Sequence, residues 1–175
     1  MRDDQLHAFL GEARARAAVD ARRRRHWLAR QLEEDRTFAA VCSRAFEDAR
    51  PVDVIVTTGR THRGWLVAAD AGIVAVATAD GGTVYIAATA VVGLRPRPGA
   101  PAREKEPGQV PAVVPGATIA DVVRELSDGD ARVEVGTTDG GVHRGRIDGV
   151  GRDVLRLTGG MHLRLDMVTE VSSVP

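Results

Sequence analysis

The sequence predicts a β-rich α+β protein: two small five-stranded barrels, each led by a short helix, behind an N-terminal helical segment. Three observations carry this. Residues 1–35 hold no proline and are rich in Ala, Arg, Glu and Leu, the better helix formers. Two later blocks consist of short runs of Val, Ile and Thr separated by turn residues. The two blocks share one register, because His62-Arg63-Gly64 recurs as His143-Arg144-Gly145, 81 residues on (143 − 62 = 81). The expected divisions are an N-terminal helix over 1–36, a first barrel over 37–96, a linker over 97–116 and a second barrel over 117–175.

In the first segment, Asp3 or Asp4 can cap the helix. Leu6, Phe9, Leu10 and Ala13 form one apolar stripe at helical spacing, and Trp27, Leu28 and Leu32 form another. Residues 37–50 read as a second helix with Phe38, Val41, Cys42, Ala45 and Phe46 on its core face. Pro51 stops it, since proline disfavours helical geometry in the preceding residue. VDVIV, GWLVAA, IVAVA, TVYIA and AVVGL follow as five strands, a spacing that suits a small barrel or sandwich. Trp65 and Tyr85 are the aromatic residues of this block; they suit a stacking surface for single strands or, equally, the interior of the first barrel, and a stacking surface usually offers more aromatics.

Arg95 to Pro115 carries six of the eight prolines and a mixed-charge run, a composition that favours an extended linker over a packed core. TIADVVREL then begins a third helix. Thr118 can cap it, Asp121 suits its positive end, and Gly129 sits near the usual C-terminal glycine position. ARVEV, HRGRIDG, DVLRL, MHLRL and TEVSSV are the second set of strands.

The 81-residue offset pairs Thr37 with Thr118, Phe38 with Ile119, Val41 with Val122, Cys42 with Val123, Val52 with Val133 and Val54 with Val135. It goes on to pair Leu66 with Ile147, Val74 with Leu155 and Val76 with Leu157. Beyond that the alignment needs gaps; Val84 and Ile86 are set against Leu163 and Leu165, and Leu94 against Val171. A single offset across a helix, a turn and three strands points to an internal repeat. Gly64 and Gly145 then mark a bend or bulge where the second strand begins.

Val54, Val56, Gly59, Gly64, Leu66 and Asp70 resemble the V-x-V-x-x-x-G…G-x-L-x-x-x-D pattern of the Sm-like proteins, which include bacterial RNA chaperones, with the first Gly one position early. Val135, Gly145 and Ile147 repeat part of it, with Gly151 in place of the acid. The resemblance implies small barrels that pair edge to edge, as Sm-like proteins do in rings. It does not imply their RNA chemistry. No Asn follows Asp70, and neither last strand opens with the polar pair that accompanies base recognition in the family.

Charge and composition narrow the rest. The chain has 24 basic and 24 acidic residues, so no net field draws it to nucleic acid or anionic membrane. Nearly all its cations are Arg. Cys42 is the single cysteine, which excludes an internal disulfide and fits a reducing cytoplasm. No apolar run approaches the roughly 20 residues of a membrane span. Arg22, Arg23, Arg24 and Arg25 can contact phosphates, with Trp27 stacking on a base. His62 and Arg63, with His143 and Arg144, form matched pairs read as loop sites for an anion or RNA. His62, His143 and His162 lack the close paired spacing of a zinc site, and no nucleophile, acid–base pair or nucleotide loop stands out. The expected role is therefore a non-catalytic scaffold needing no cofactor or metal. Its partner is another protein or a second copy; RNA is the alternative, and no membrane or small-molecule substrate is indicated.

Overall fold

In a computed structural model of the protein, the described residues are 21–28, 30–31, 37–97 and 116–174. The chain divides into two units, 1–38 and 39–175. In the first, residues 21–28 and 30–31 are helical; the expected caps Asp3 and Asp4 and the first apolar stripe lie outside the described residues, as does most of the linker. Arg95 and Pro96 are strand, not linker.

The second unit is α+β. Helix α1 (Phe38–Glu47) leads strands β1 (Pro51–Val56), β2 (Thr61–Ala69), β3 (Ile73–Thr78), β4 (Thr83–Ala87) and β5 (Val91–Pro96). Helix α2 (Ile119–Asp128) leads β6 (Arg132–Thr137), β7 (Val142–Val150), β8 (Val154–Leu157), β9 (Met161–Arg164) and β10 (Val168–Val174). All ten strands form one antiparallel sheet in the order β5-β1-β2-β3-β4-β10-β6-β7-β8-β9. The sheet is not closed into a barrel. The expected pair of separate barrels is instead one open sheet, because β4 pairs with β10 rather than each half standing alone.

The repeat is written into the backbone. Ala49 and Asp130 both leave their helices with positive φ, 49° and 51°. The left-handed residue after α2 is thus Asp130, not the expected Gly129, whose φ is −87°. Gly59 and Gly140 turn with φ of 82° and 83°. Val56 N–H donates to Arg60 O and Thr137 N–H to Gly141 O, each at 3.0 Å. Register shifts fall at Leu66/Ala68 and, 81 residues on, at Ile147/Gly149. Ile86 lies opposite Val74 and Leu163 opposite Leu155, so these two correspond, with an offset of 77 (163 − 86 = 77). The sequence pairing of Val84 and Ile86 with Leu163 and Leu165 is therefore two residues out; the correct partners are Met161 and Leu163. The second β-hairpin is shorter by the missing four residues. Leu94 does correspond to Val171, since each lies opposite the matched pair Val54 and Val135.

Gly64 and Gly145 are not bulge residues; the register shifts begin two positions later. They are needed for close approach. A Cβ on Gly64 would lie 2.0 Å from Ala77 O, and one on Gly145 2.9 Å from Thr158 Oγ1.

Two apolar cores result. Cys42, Ala45, Val52, Val54, Val56, Leu66, Val74, Val76 and Ile86 form the first, under α1. The second holds Ile119, Val122 and Val123 of α2 with Val133, Val135, Leu155, Leu157 and Val171, and it also takes in Ile73, Ala75 and Tyr85 from the first half. Strand β3 is thus buried on both faces, one in each core. That is why it reads as the unbroken run IVAVA, whereas β8 alternates buried and open positions. Tyr85 is buried in the second core rather than filling the first half; burial, with the Glu125 charge nearby, pushes its phenol up to about 12. Phe38, read as a core residue, is 44% exposed.

Candidate functional site

The chemistry of this molecule concentrates at the joint between its halves. There Val84, Tyr85 and Ile86 of β4 lie opposite Ser172, Val171 and Glu170 of β10. The turn after β1 presents Arg60, held by the hairpin that Gly59 permits. Its guanidinium crosses to the second half, placing Nη2 2.7 Å from Glu134 Oε1 and Nη1 2.7 Å from Glu170 Oε1. The second contact is an ion pair without hydrogen-bond alignment. His62 Nε2 lies 2.7 Å from the other Glu170 oxygen. Arg144 Nε donates to Glu134 Oε2 at 2.8 Å.

Glu170 is the centre of this cluster, with 3% of its side chain exposed. A carboxylate so buried is costly without partners, and here both partners come from the other half. Gly136 makes the space, since a Cβ there would lie 2.6 Å from Glu170 Cγ. Burial alone would raise the Glu134 pKa, but hydrogen bonds from Arg60 and Arg144 outweigh it and hold the carboxyl below its ordinary value.

A second tie joins the halves at Asp70. Its carboxylate accepts from the backbone N–H groups of Gly72, Ile73 and Gly116, at 2.8, 2.9 and 2.8 Å. Those bonds overcome the opposing effect of burial and lower its pKa. Gly72 packs directly on the lead-in to α2: a Cβ would lie 2.2 Å from Ala117 O. Asp70, read in the sequence as matching the Sm-like acid, is a structural clamp here, and Gly151 stands at the equivalent place in the second half.

The His-Arg pairs lie within β2 and β7, not in loops as the sequence suggested. Arg63 Nε donates to Asp53 at 3.1 Å, as Arg144 does to Glu134, and His62 faces Glu170. Carboxylates of the chain itself thus occupy three of the four proposed anion-binding groups; His143 stays near Asp139, lowering that acid's pKa slightly after Thr137 and the Gly141 N–H have done so. Arg22 to Arg25 are exposed on the N-terminal helix. Arg22, Arg23, His26, Trp27 and Arg30 line an open recess of about 470 Å³, with Trp27 60% exposed. Cys42 is 3% exposed, and burial pushes its thiol pKa up, away from nucleophilic use. Among the described residues no three His, Cys, Asp or Glu side chains converge on a point where a metal ion would fit.

Sequence reasoning missed Arg60, Glu134 and Glu170. One signal was available: a lone Glu inside TEVSSV, in a strand otherwise suited to burial, calls for a partner. Comparison with known proteins returns no matching family model, no matching curated protein and no matching solved structure.

Proposed function

We propose that this chain is a non-catalytic scaffold of two Sm-like halves that works through protein contacts and self-association. The observation that carries this is the joint: one half is recognised by the other through strand addition, locked by the Arg60–Glu170–His62 cluster. The order β5-β1-β2-β3-β4, repeated behind a helix in each half, supports the Sm-like reading. Sheet edges that pair once within a chain are suited to pair again outside it. Sedimentation velocity of the full chain across a wide concentration range tests this. A concentration-dependent rise in mass that survives nuclease treatment is expected; a monomer throughout contradicts it.

One observation favours a second reading, nucleic-acid binding: the open Arg-rich recess beside Trp27. The ion pairs of Arg63, Arg144 and His62 leave that recess as its main support. RNA or DNA retardation at low salt, steeply lost as salt rises and abolished by replacing Arg22 to Arg25 with Ala, would establish it. No retardation at low salt removes it.

A further inference from the structure

We propose that the molecule associates at one end only, pairing like ends into a two-fold dimer through β5 and α1, while its β9 end is closed to strand addition. This rests on the self-association reading above and specifies the surface.

The internal joint shows what one half requires of another. It joins a β4-type edge, backed by an apolar outer face, to a β10-type edge, flanked by a helix. On the first side, Ile73, Ala75 and Tyr85 are all buried. On the second, Ile119 and Val122 of α2 and Thr169 of β10 are buried too, at 9%, 5% and 1% exposure.

The two free edges reproduce these sides unequally. Strand β9 and its neighbour β8 correspond to β4 and β3, yet Ile73, Ala75 and Tyr85 have become Val154, Arg156 and His162. Arg156 and His162 are exposed, and Arg152 and Arg164 lie nearby in the chain. Among the described residues, Asp166 pairs with Arg164 and Asp153 lies close enough to act on it, while Arg152, Arg156 and His162 show no carboxylate partner. Cations at the positions of an apolar face block a third half from docking there; this is how terminal repeats of an array end it.

The other end has kept its apolar character. Val92 corresponds to the buried Thr169 and is 64% exposed. Val41, the counterpart of Val122, is half-buried, and so is Ile55. Gly93 replaces Glu170, and Ile55 replaces Gly136, so the carboxylate and its cradle have been exchanged for an apolar step. A copy of the same unit covers the equivalent positions at the internal joint. Head-to-tail growth would need the cationic β9 end, so among the described residues the β5–α1 end of a second copy is the occupant that fits. Antiparallel pairing of β5 with itself about Gly93 brings Val92, which a bulge leaves out of the β1 ladder, near the partner's Leu94 and keeps the two Arg95 side chains apart. A two-fold contact of this kind stops at two. The ring assembly that the family resemblance implies does not follow for this chain.

Sedimentation velocity and cross-linking together test this on the full chain. The mass should rise with concentration from monomer and level off at a dimer. Val92→Glu, at an exposed position, should weaken the dimer at least about tenfold and leave the melting temperature of the dilute monomer unchanged. Gly93→Cys, whose side chain meets nothing within 4 Å, should cross-link to itself through a short bis-maleimide, and Met161→Cys should not. Replacing Arg156 with Ala and His162 with Tyr, which restores the first-half residues, should drive growth past the dimer. A monomer at every concentration overturns both this proposal and the scaffold reading. Wild-type assembly beyond two, or a dimer indifferent to Val92→Glu, overturns this proposal alone.

Discussion

Strands β3 and β8 occupy the same place in the two halves and have opposite surroundings. Ile73 to Ala77 are buried on both faces, because the second half and α2 cover what would be the outer side of the sheet. In β8, Leu155 and Leu157 are buried while Arg156 faces solvent. One backbone plan thus yields an interior strand in the first half and a surface strand in the second. The lesson is that position in the joined sheet, not position in the repeat, sets the residue types.

Paired substitutions at equivalent sites sharpen the contrast. The largest difference is expected at the glycines. Gly64→Ala drives a methyl into the backbone carbonyl of Ala77, which cannot move without breaking the β2–β3 ladder. Loss of the cooperative thermal transition is expected. Gly145→Ala meets the side chains of Thr158 and Leu157, which can give way, and should cost about 1–3 kcal/mol. Equal effects would mean that the halves are packed alike.

Next comes the ionic joint. Glu170→Ala leaves Arg60 and His62 facing an empty buried site and should cost about 3–5 kcal/mol in denaturant melts. Asp53→Ala removes a carboxylate whose partners, Arg63 and Arg97, stand largely in water, and should cost under about 1 kcal/mol. Ile73→Ala, fully buried, should cost about 2–5 kcal/mol. Val154→Ala at the matching half-exposed position should cost clearly less.

The smallest effect is that of acid. Glu134 and Asp70 both have folded pKa values below their ordinary ones. A group depressed in this way contributes stability above its unfolded value and loses it as pH falls through the folded value. Stability should therefore hold down to about pH 4.5, the ordinary Glu value, and then decline. Glu134→Gln together with Asp70→Asn should flatten that decline, as urea midpoints at several pH values would show.

Much of the fold could be read from the residues. The helix–strand order, the Pro-rich gap and the 81-residue register all follow from periodicity and turn chemistry, which are local. The joint did not, because pairing of β4 with β10 links residues far apart in the chain. IVAVA did carry a hint: a strand without a polar face has both faces covered. Phe38, whose spacing marked a core position, lies exposed, since helical periodicity says which residues share a face and not whether anything packs on it. The His-Arg pairs were found but placed in loops; they lie in strands, and their carboxylate partners, on β1 and β6 and, for His62, on distant β10, are not legible from local sequence.

Hydrogen exchange tests most directly the claim that two copies of one unit form a single sheet across β4 and β10. Amides of β4 and β10 should be protected to the level of β3 and open only in the global unfolding reaction, while those of β9, a true edge, exchange much faster. Protection in β4 and β10 no greater than in β9 would contradict the account.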